Sequence, residues 1–234
     1  MQFKCKICDT ELDLDKCQVF KSKCIANGSD LTRYKCTTCG VIFGTIPMIT
    51  GTEEMIKNDY IALDKGGWKE PDLAMWETKT FMTLNPQKGH TFTYLNFGSG
   101  NTCSTIEKLR ANGNGYNIFG YEPYLPVDAK EIHVIRTKEE LMKHKFDAIM
   151  SNNLIEHLQD PVNDFLFMKS LLKDKTSIMA HSTACYRYCY EFSRFHTFFF
   201  VDKSIEYLCN KTGLILSSLT AEGDYINGIF SQKP

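Results

Sequence analysis

The sequence predicts an α/β chain: a doubly wound, mostly parallel sheet of seven strands ending in an antiparallel hairpin, with a small metal ribbon at the N-terminus. Three observations carry this. Short apolar runs alternate with helix-like segments from about residue 90 onward. The turn Gly98-Ser99-Gly100 joins one such run to a helix that opens on Thr and Ser. Four of the ten cysteines fall in two C-x2-C pairs. The organisation expected is a zinc ribbon over residues 1–46, a connector over 47–89 and the sheet domain over 90–234.

At the N-terminus, Cys5-Lys-Ile-Cys8 and Cys36-Thr-Thr-Cys39 supply four thiolates, the donor set of a tetrahedral zinc site. Cys17 and Cys24 lie between the pairs as spare or substitute ligands. Residues 1–46 hold seven Lys or Arg against five Asp or Glu, an excess that four thiolates on one Zn²⁺ cancel. A module gripping phosphates should be basic, so the sequence argues against nucleic-acid binding. The metal instead replaces a core that so short a segment cannot build. The whole chain has a formal net charge of -1, which gives no polyanion-binding field. It has no apolar run long enough to span a membrane, and its first residues lack the apolar core of a signal peptide. The expectation is a soluble, cytoplasmic protein.

In the connector, Glu53 to Lys57 could start a helix and Lys65-Gly-Gly-Trp68 reads as a loop. Leu73, Trp76 and Thr80 have helical spacing within Pro71 to Met82, and Asn85 to His90 forms a turn. Tyr60, Trp68 and Trp76 either face an acceptor site or pack the ribbon against the main domain. The sheet domain then opens with the strand from Phe92 to Phe97, the glycine turn and a helix over Thr102 to Asn112. A strand over Asn117 to Glu122, a short one over Ile132 to Arg136 and a brief helix over Lys138 to Lys143 come next. Strand Phe146 to Ser151, helix Pro161 to Leu172 and strand Ser177 to His181 follow. An aromatic stretch, helix Asp202 to Thr212 and the strand runs Leu214 to Leu219 and Tyr225 to Phe230 close the chain.

Chemistry-bearing residues lie after the strands, where an α/β sheet binds its ligands. Glycines let the backbone approach a ligand closely, and Glu122, about twenty residues on, has the spacing of an acid that takes ribose hydroxyls. Glu156-His157 could supply a proton acceptor or could organise the turn before Asp160-Pro161. From Ala184 to Phe200 aromatics interleave with Arg187, Arg194 and His196, as in an acceptor pocket, a lid, a core or an interface. His181, Cys185 and Cys189, four apart, would share one face if that segment were helical, giving a second metal site; buried thiols are the other reading.

Leu95-Asn-Phe-Gly-Ser-Gly100, Gly120-Tyr-Glu-Pro123, the run from Phe146 to Pro161 and the terminal hairpin resemble the class I S-adenosylmethionine-dependent methyltransferases over residues 90–234. With the cysteine pairs added, the chain is similar to bacterial sugar and glycan methyltransferases that carry an N-terminal zinc-binding segment. The resemblance implies a Rossmann-like sheet, S-adenosylmethionine as cofactor and a small sugar or glycan precursor as acceptor. It implies that Asn96, Gly98, Ser99 and Gly100 hold the cofactor's amino-acid part and Glu122 its ribose. Thr137 falls on the adenine side, and Ser151, Asn152 and Asn153 line the sulfonium and acceptor side. His157 is the first candidate base and His196 the second. The chain departs from the family pattern at Asn96, where an acid is common, and at Thr102, where a third glycine is usual. Asn96 gives a cofactor ammonium no charge partner. An RNA-modifying enzyme and a non-catalytic binding protein of the same fold are the alternatives.

Overall fold

The computed structural model describes residues 1–23, 30–52, 54–55, 57–58, 61, 73–100, 104–110, 115–124, 133–188, 196–223 and 225–233. Its frame is a seven-stranded sheet. In chain order the strands are β6 (Gly89–Phe97), β7 (Tyr116–Tyr121), β8 (Val134–Ile135), β9 (Ala148–Asn152), β10 (Ile178–Ser182), β12 (Leu214–Glu222) and β13 (Tyr225–Gln232). Across the sheet they run β12-β13-β10-β9-β6-β7-β8. Strands β8, β7, β6, β9 and β10 are parallel, and β13 runs antiparallel to both β10 and β12. The chain leaves β6 outward through β7 and β8 and returns on the other side at β9. This reversal opens a crevice at the carboxyl ends of β6 and β9.

Alternation along the strands builds two cores. Tyr94, Ile118, Ala148, Met150 and Ala180 face the helix α2 (Leu73–Thr83) through Phe81. Leu95, Ile149 and Met179 face α5 (Pro161–Ser170) and α6 (Ser204–Thr212) through Phe165, Met168 and Leu208. Helix boundaries follow from local chemistry. Asp160 caps α5 by accepting from the Asn163 amide, with Pro161 at its first position, and Gly213 ends α6 in the left-handed region. The shorter helices are α1 (Ile46–Ile49), α3 (Ser104–Arg110) and α4 (Lys138–Leu141). No helix among the described residues is long and apolar enough to cross a membrane.

The N-terminal segment holds the hairpin of β1 (Gln2–Lys4) and β2 (Glu11–Asp13) and a meander of β3 (Gln18–Lys23), β4 (Asp30–Lys35) and β5 (Ile42–Gly44). The meander gains a fourth strand from far along the chain. Strand β11 (Phe198–Phe199), within the aromatic stretch, pairs antiparallel with β5, Phe198 opposite Phe43 and Phe199 opposite Ile42. The Gly44 amide extends the ladder by donating to the Thr197 carbonyl at 2.9 Å. Cys5, Ile7, Val41 and Phe43 thereby join Ile155, Phe198, Phe200 and Leu208 in one continuous core.

The predicted elements of the sheet domain recur within a few residues of their expected bounds. The exception is the helical face proposed for His181, Cys185 and Cys189. His181 lies in β10 and Cys185 in a 3-10 turn, so four-residue spacing does not align them there; Cys189 lies outside the described residues. Tyr60, the loop at 65–68, Cys24 and Thr102 also lie outside them. Trp76 stacks on Tyr225 of the terminal hairpin with centroids 5.2 Å apart, so it braces α2 against the sheet.

Candidate active site

The end of β6 turns through Gly98 (φ 80°) and Gly100 (φ 70°), both in the left-handed region that favours glycine. The turn is tied to the neighbouring strand, because the amides of Gly98 and Ser99 both donate to the Tyr121 carbonyl, at 2.8 and 3.1 Å. A Cβ at Gly98 would meet Leu154 at 2.8 Å, whereas one at Gly100 would meet nothing within 4 Å. Glu122 follows β7, is buried, and accepts from the Gly100 amide at 3.2 Å and the Tyr124 amide at 2.9 Å. The acid and the glycine turn therefore form one unit.

Beneath the turn lies a buried polar floor on the α2 face. Asn96 is fully buried and its Nδ2 donates to Glu77 Oε1 at 2.9 Å, while the Thr105 hydroxyl donates to the other Glu77 oxygen. Asn96 Oδ1 and Asn152 Nδ2 have no hydrogen-bond partner. Asn96 lies opposite Met150 in register, and Asn152, two residues on, points to the same face. An unmatched acceptor and an unmatched donor each cost about 1 to 3 kcal/mol when buried. Both stand at the carboxyl ends of β6 and β9, where a polar ligand would satisfy them, so the residues present fit a zwitterionic cofactor.

Other predicted residues are placed differently. The Ser151 hydroxyl points to the opposite face and lies 2.8 Å from His181 Nδ1, inside a core with Phe165 and Phe230. Burial holds the His181 imidazole down at about 3, so it is neutral at physiological pH. Thr137 sits past β8 as the N-cap of α4, its hydroxyl accepting from the Glu140 amide at 3.2 Å. Asn153 adopts φ 46° and its amide donates to the Ser182 carbonyl at 2.8 Å.

His157 and His196, 39 positions apart in sequence, are brought together. Their rings lie 4.9 Å apart at 77°, and with Glu156 they place three possible ligand atoms within 4.8 Å of one another. Thr197 fixes this geometry. Its amide and hydroxyl donate to the Glu156 carbonyl at 2.7 and 2.8 Å, and the hydroxyl also reaches the Leu158 carbonyl at 2.8 Å. From the N-terminal meander the fully buried Arg33 donates to the His196 carbonyl at 3.1 Å and lies over the Phe199 ring. A carboxylate and two imidazoles so placed can take up and pass on a proton. The described aromatics of this stretch do not line an open pocket. Tyr186 donates to the His181 carbonyl, Phe198 to Phe200 are buried, and Tyr188 packs between Phe20 and Phe199. Residues 189–195 lie outside the described set.

The four paired cysteines also converge. Their sulfurs lie within 4.8 Å of one another, with Cys5 to Cys39 at 3.8 Å and Cys8 to Cys36 at 3.5 Å. Zinc–sulfur bonds of about 2.3 Å in a tetrahedron set sulfurs about 3.8 Å apart, so the group fits zinc. Hydrogen bonds from Cys39 and Cys5 drive the Cys36 thiol far down, and its thiolate pushes Cys5 up to about 12. So crowded a set needs a cation to carry more negative charge. Cys17 is outside the group, its thiol directed to the Asp13 carbonyl at 3.6 Å.

Known proteins place this architecture. Residues 72–218 match the profile of a family described as a methyltransferase domain. The chain belongs to that family. The matched span begins just before α2, so it takes in Glu77 as well as the glycine turn, Glu122 and the Glu156-His157 pair. No curated protein matches the chain by sequence. Among solved structures, this methyltransferase domain is similar to the 1,6-didemethyltoxoflavin-N1-methyltransferase of Burkholderia thailandensis. That likeness has 10% identity, 92% of this chain and 99% of the other covered, and a TM-score of 0.62. It is also similar to a structure of a putative methyltransferase in complex with the Haloferax volcanii Trm112 methyltransferase activator, at 10% identity, 77% and 96% coverage and a TM-score of 0.54. A possible histamine N-methyltransferase from Thermotoga maritima matches at 17% identity, 77% and 98% coverage and a TM-score of 0.50. At such identities the likeness establishes a shared fold.

Glu77 and Arg33 are the functional candidates that motif reading missed. Glu77 carried a signal: it stands in the helical stripe with Thr80, Phe81 and Leu84, where an acid is out of place. Arg33 carried none, since its partner is 163 residues away.

Proposed function

We propose that this methyltransferase domain transfers a methyl group from S-adenosylmethionine to a hydroxyl of a small polar acceptor, a sugar or surface-glycan precursor. The observation that carries the reading is that three groups follow the carboxyl ends of β6, β7, β9 and β10, the side of the sheet where an α/β domain binds its ligands. These are the glycine turn latched to Glu122, the unmatched polar atoms of Asn96 and Asn152, and the Glu156–His157–His196 cluster. The cofactor, when bound, supplies a methyl group activated on a sulfonium. Gly98, Ser99 and Gly100 cradle its amino-acid end, Glu122 accepts its ribose hydroxyls, and Thr137 stands on the adenine side. Asn152 and Asn153 border the acceptor side; Ser151 contributes through its backbone, its hydroxyl being engaged with His181. His157 takes the acceptor proton, with His196 and Glu156 beside it to share the charge, so the chain's main work is alignment and proton removal.

A bound small molecule and S-adenosylhomocysteine in the toxoflavin methyltransferase support the cofactor and a small acceptor. The nearly balanced charge of residues 1–46 favours that reading over an RNA substrate. We assign one structural zinc to Cys5, Cys8, Cys36 and Cys39. Titration calorimetry with S-adenosylhomocysteine tests the shared premise: one site per chain is expected, and absence of binding leaves a non-catalytic protein of this fold. If binding is found, His157→Ala should leave it intact while lowering turnover of an accepted sugar about a hundredfold.

A further inference from the structure

We propose that Asn227, in the terminal hairpin, recognises the acceptor, accepting a hydrogen bond from a hydroxyl of a polyol ligand whose other end lies at Asn152. The inference rests on the acceptor reading above and adds a residue to it. Its basis is a row of side chains across three neighbouring strands. Asn152 of β9 pairs in register with Ser182 of β10, and Ser182 pairs with Asn227 of β13. Register partners project to one face of a sheet, here the α2 face, where the preceding row is Met150, Ala180 and Ile229 of the apolar core. The face turns from apolar to polar in one step yet stays buried, Asn152 being 7% exposed, Ser182 3% and Asn227 1%.

Two atoms of the row lack a hydrogen-bond partner among the described residues, Nδ2 of Asn152 and Oδ1 of Asn227. Ser182, between them, meets the Tyr225 hydroxyl, which lies 3.3 Å from Thr80 Oγ1. The orientation of the Asn227 amide is set by its neighbour. The Thr83 hydroxyl donates its one proton to the Thr80 carbonyl at 2.7 Å, so toward Asn227 it accepts, from Nδ2 at 3.1 Å, and Oδ1 faces away. A position with only a packing role would be served by an apolar side chain, whereas an unmatched buried acceptor costs about 1 to 3 kcal/mol. Two strand spacings, about 10 Å, separate Asn227 from Asn152. A single hydroxyl or water reaches about 3 Å to each side and cannot bridge them. A ligand that serves both carries several polar groups on one frame, an acceptor for Asn152 and a donor for Asn227. Hydroxyls supply either, so a sugar or another polyol is the matching class. Asn227 stands three strands from β6, so the cofactor's cradle does not account for it. Thr83 and Tyr225, which hold Asn227 and Ser182, also line a cavity of 610 Å³ between α2 and the hairpin.

The test reads sugar and cofactor separately. Ligand-observed NMR would follow D-glucose, D-galactose and N-acetyl-D-glucosamine on wild type and Asn227→Leu, with and without S-adenosylhomocysteine, whose own affinity calorimetry would measure. At least one sugar is expected to bind wild type and to bind Asn227→Leu about tenfold more weakly, with S-adenosylhomocysteine affinity unchanged. No sugar bound by wild type, or equal binding in the variant, would overturn the inference and leave Asn227 to ordered water. Should Asn227→Leu fail to fold, Asn227→Thr, which keeps a donor for Thr83 but is too short to replace Oδ1, takes its place with the same expectation. Failure of the cofactor reading itself shows separately, as wild type that binds a sugar but not S-adenosylhomocysteine.

Discussion

Single residues here divide into those whose polar groups are matched inside the fold and those left for a ligand. His181 is held inside the fold with only one of its two ring nitrogens matched, its Nε2 being buried without a hydrogen-bond partner. Ser151 meets its Nδ1 and aromatic rings enclose it, so burial keeps the imidazole neutral down to about pH 3. An unfolded chain takes up that proton near pH 6.5, so the unfolded state binds more protons throughout this window. Stability contributed by the neutral ring is complete above pH 6.5 and falls as the pH drops toward 3, by about 1.4 kcal/mol per pH unit. Urea melts from pH 7 to 4 should show that limb in wild type, and His181→Leu should flatten it whatever its effect at pH 7. An unchanged slope would mean that other groups govern acid unfolding. The glycines and Glu122 were legible in the sequence because a turn and a strand end impose their spacing, and Asn96 stood out only against the pattern of the methyltransferases that the chain resembles. What that spacing could not reveal is that Ser151 and Asn152, adjacent in sequence, point to opposite faces, one into the core and one to the crevice.

Among elements, the two-residue strand β11 has the largest consequences. It fastens the segment after β10 to the N-terminal meander, and through Thr197 it also fastens the 3-10 turn that bears Glu156 and His157. Arg33 locks the junction from the meander side. Arg33→Leu removes the bond to the His196 carbonyl inside a fully buried site and should cost about 2 to 4 kcal/mol in a denaturant melt. Arg33→Lys should recover part of that, and S-adenosylhomocysteine affinity should hold in both, since β6 and β7 are untouched. A cost below about 0.5 kcal/mol would show that β11 pairing alone holds the junction. The long, periodic elements of the sheet were legible, because alternation and caps are local. A two-residue strand leaves no periodicity to read, and the aromatics that serve it read equally as pocket or core.

For the whole molecule, the question is what the four-cysteine segment, to which we assign a zinc, stabilises. The short spacing between the cysteines marks the metal site and says nothing about its neighbours. The core that runs from Cys5 and Phe43 through Phe198 to Leu208 couples the two parts, and the β5–β11 ladder crosses between them. Losing the assigned zinc from so short a segment should release β3 to β5. With β5 gone, β11 loses its strand partner and Phe198 and Phe199 should open with it, whereas Thr197 and Phe200 keep their amide bonds to the Glu156 and Cys185 carbonyls and β6, β7 and β9 retain their own ladders. The Cys36→Ser, Cys39→Ser variant should therefore contain no zinc. By hydrogen exchange it should lose amide protection in residues 30–44 and 198–199 together while keeping it in residues 93–97 and 116–121. It should still bind S-adenosylhomocysteine, since that site is built on the protected strands. Protection retained at 198–199 would make the N-terminal segment an appendage, and loss everywhere would make the zinc a condition for folding the entire chain. Between those limits lies the outcome expected from the shared core and the β5–β11 ladder: the assigned zinc holds β3 to β5 and β11, and the ladders of β6, β7 and β9 stand without it.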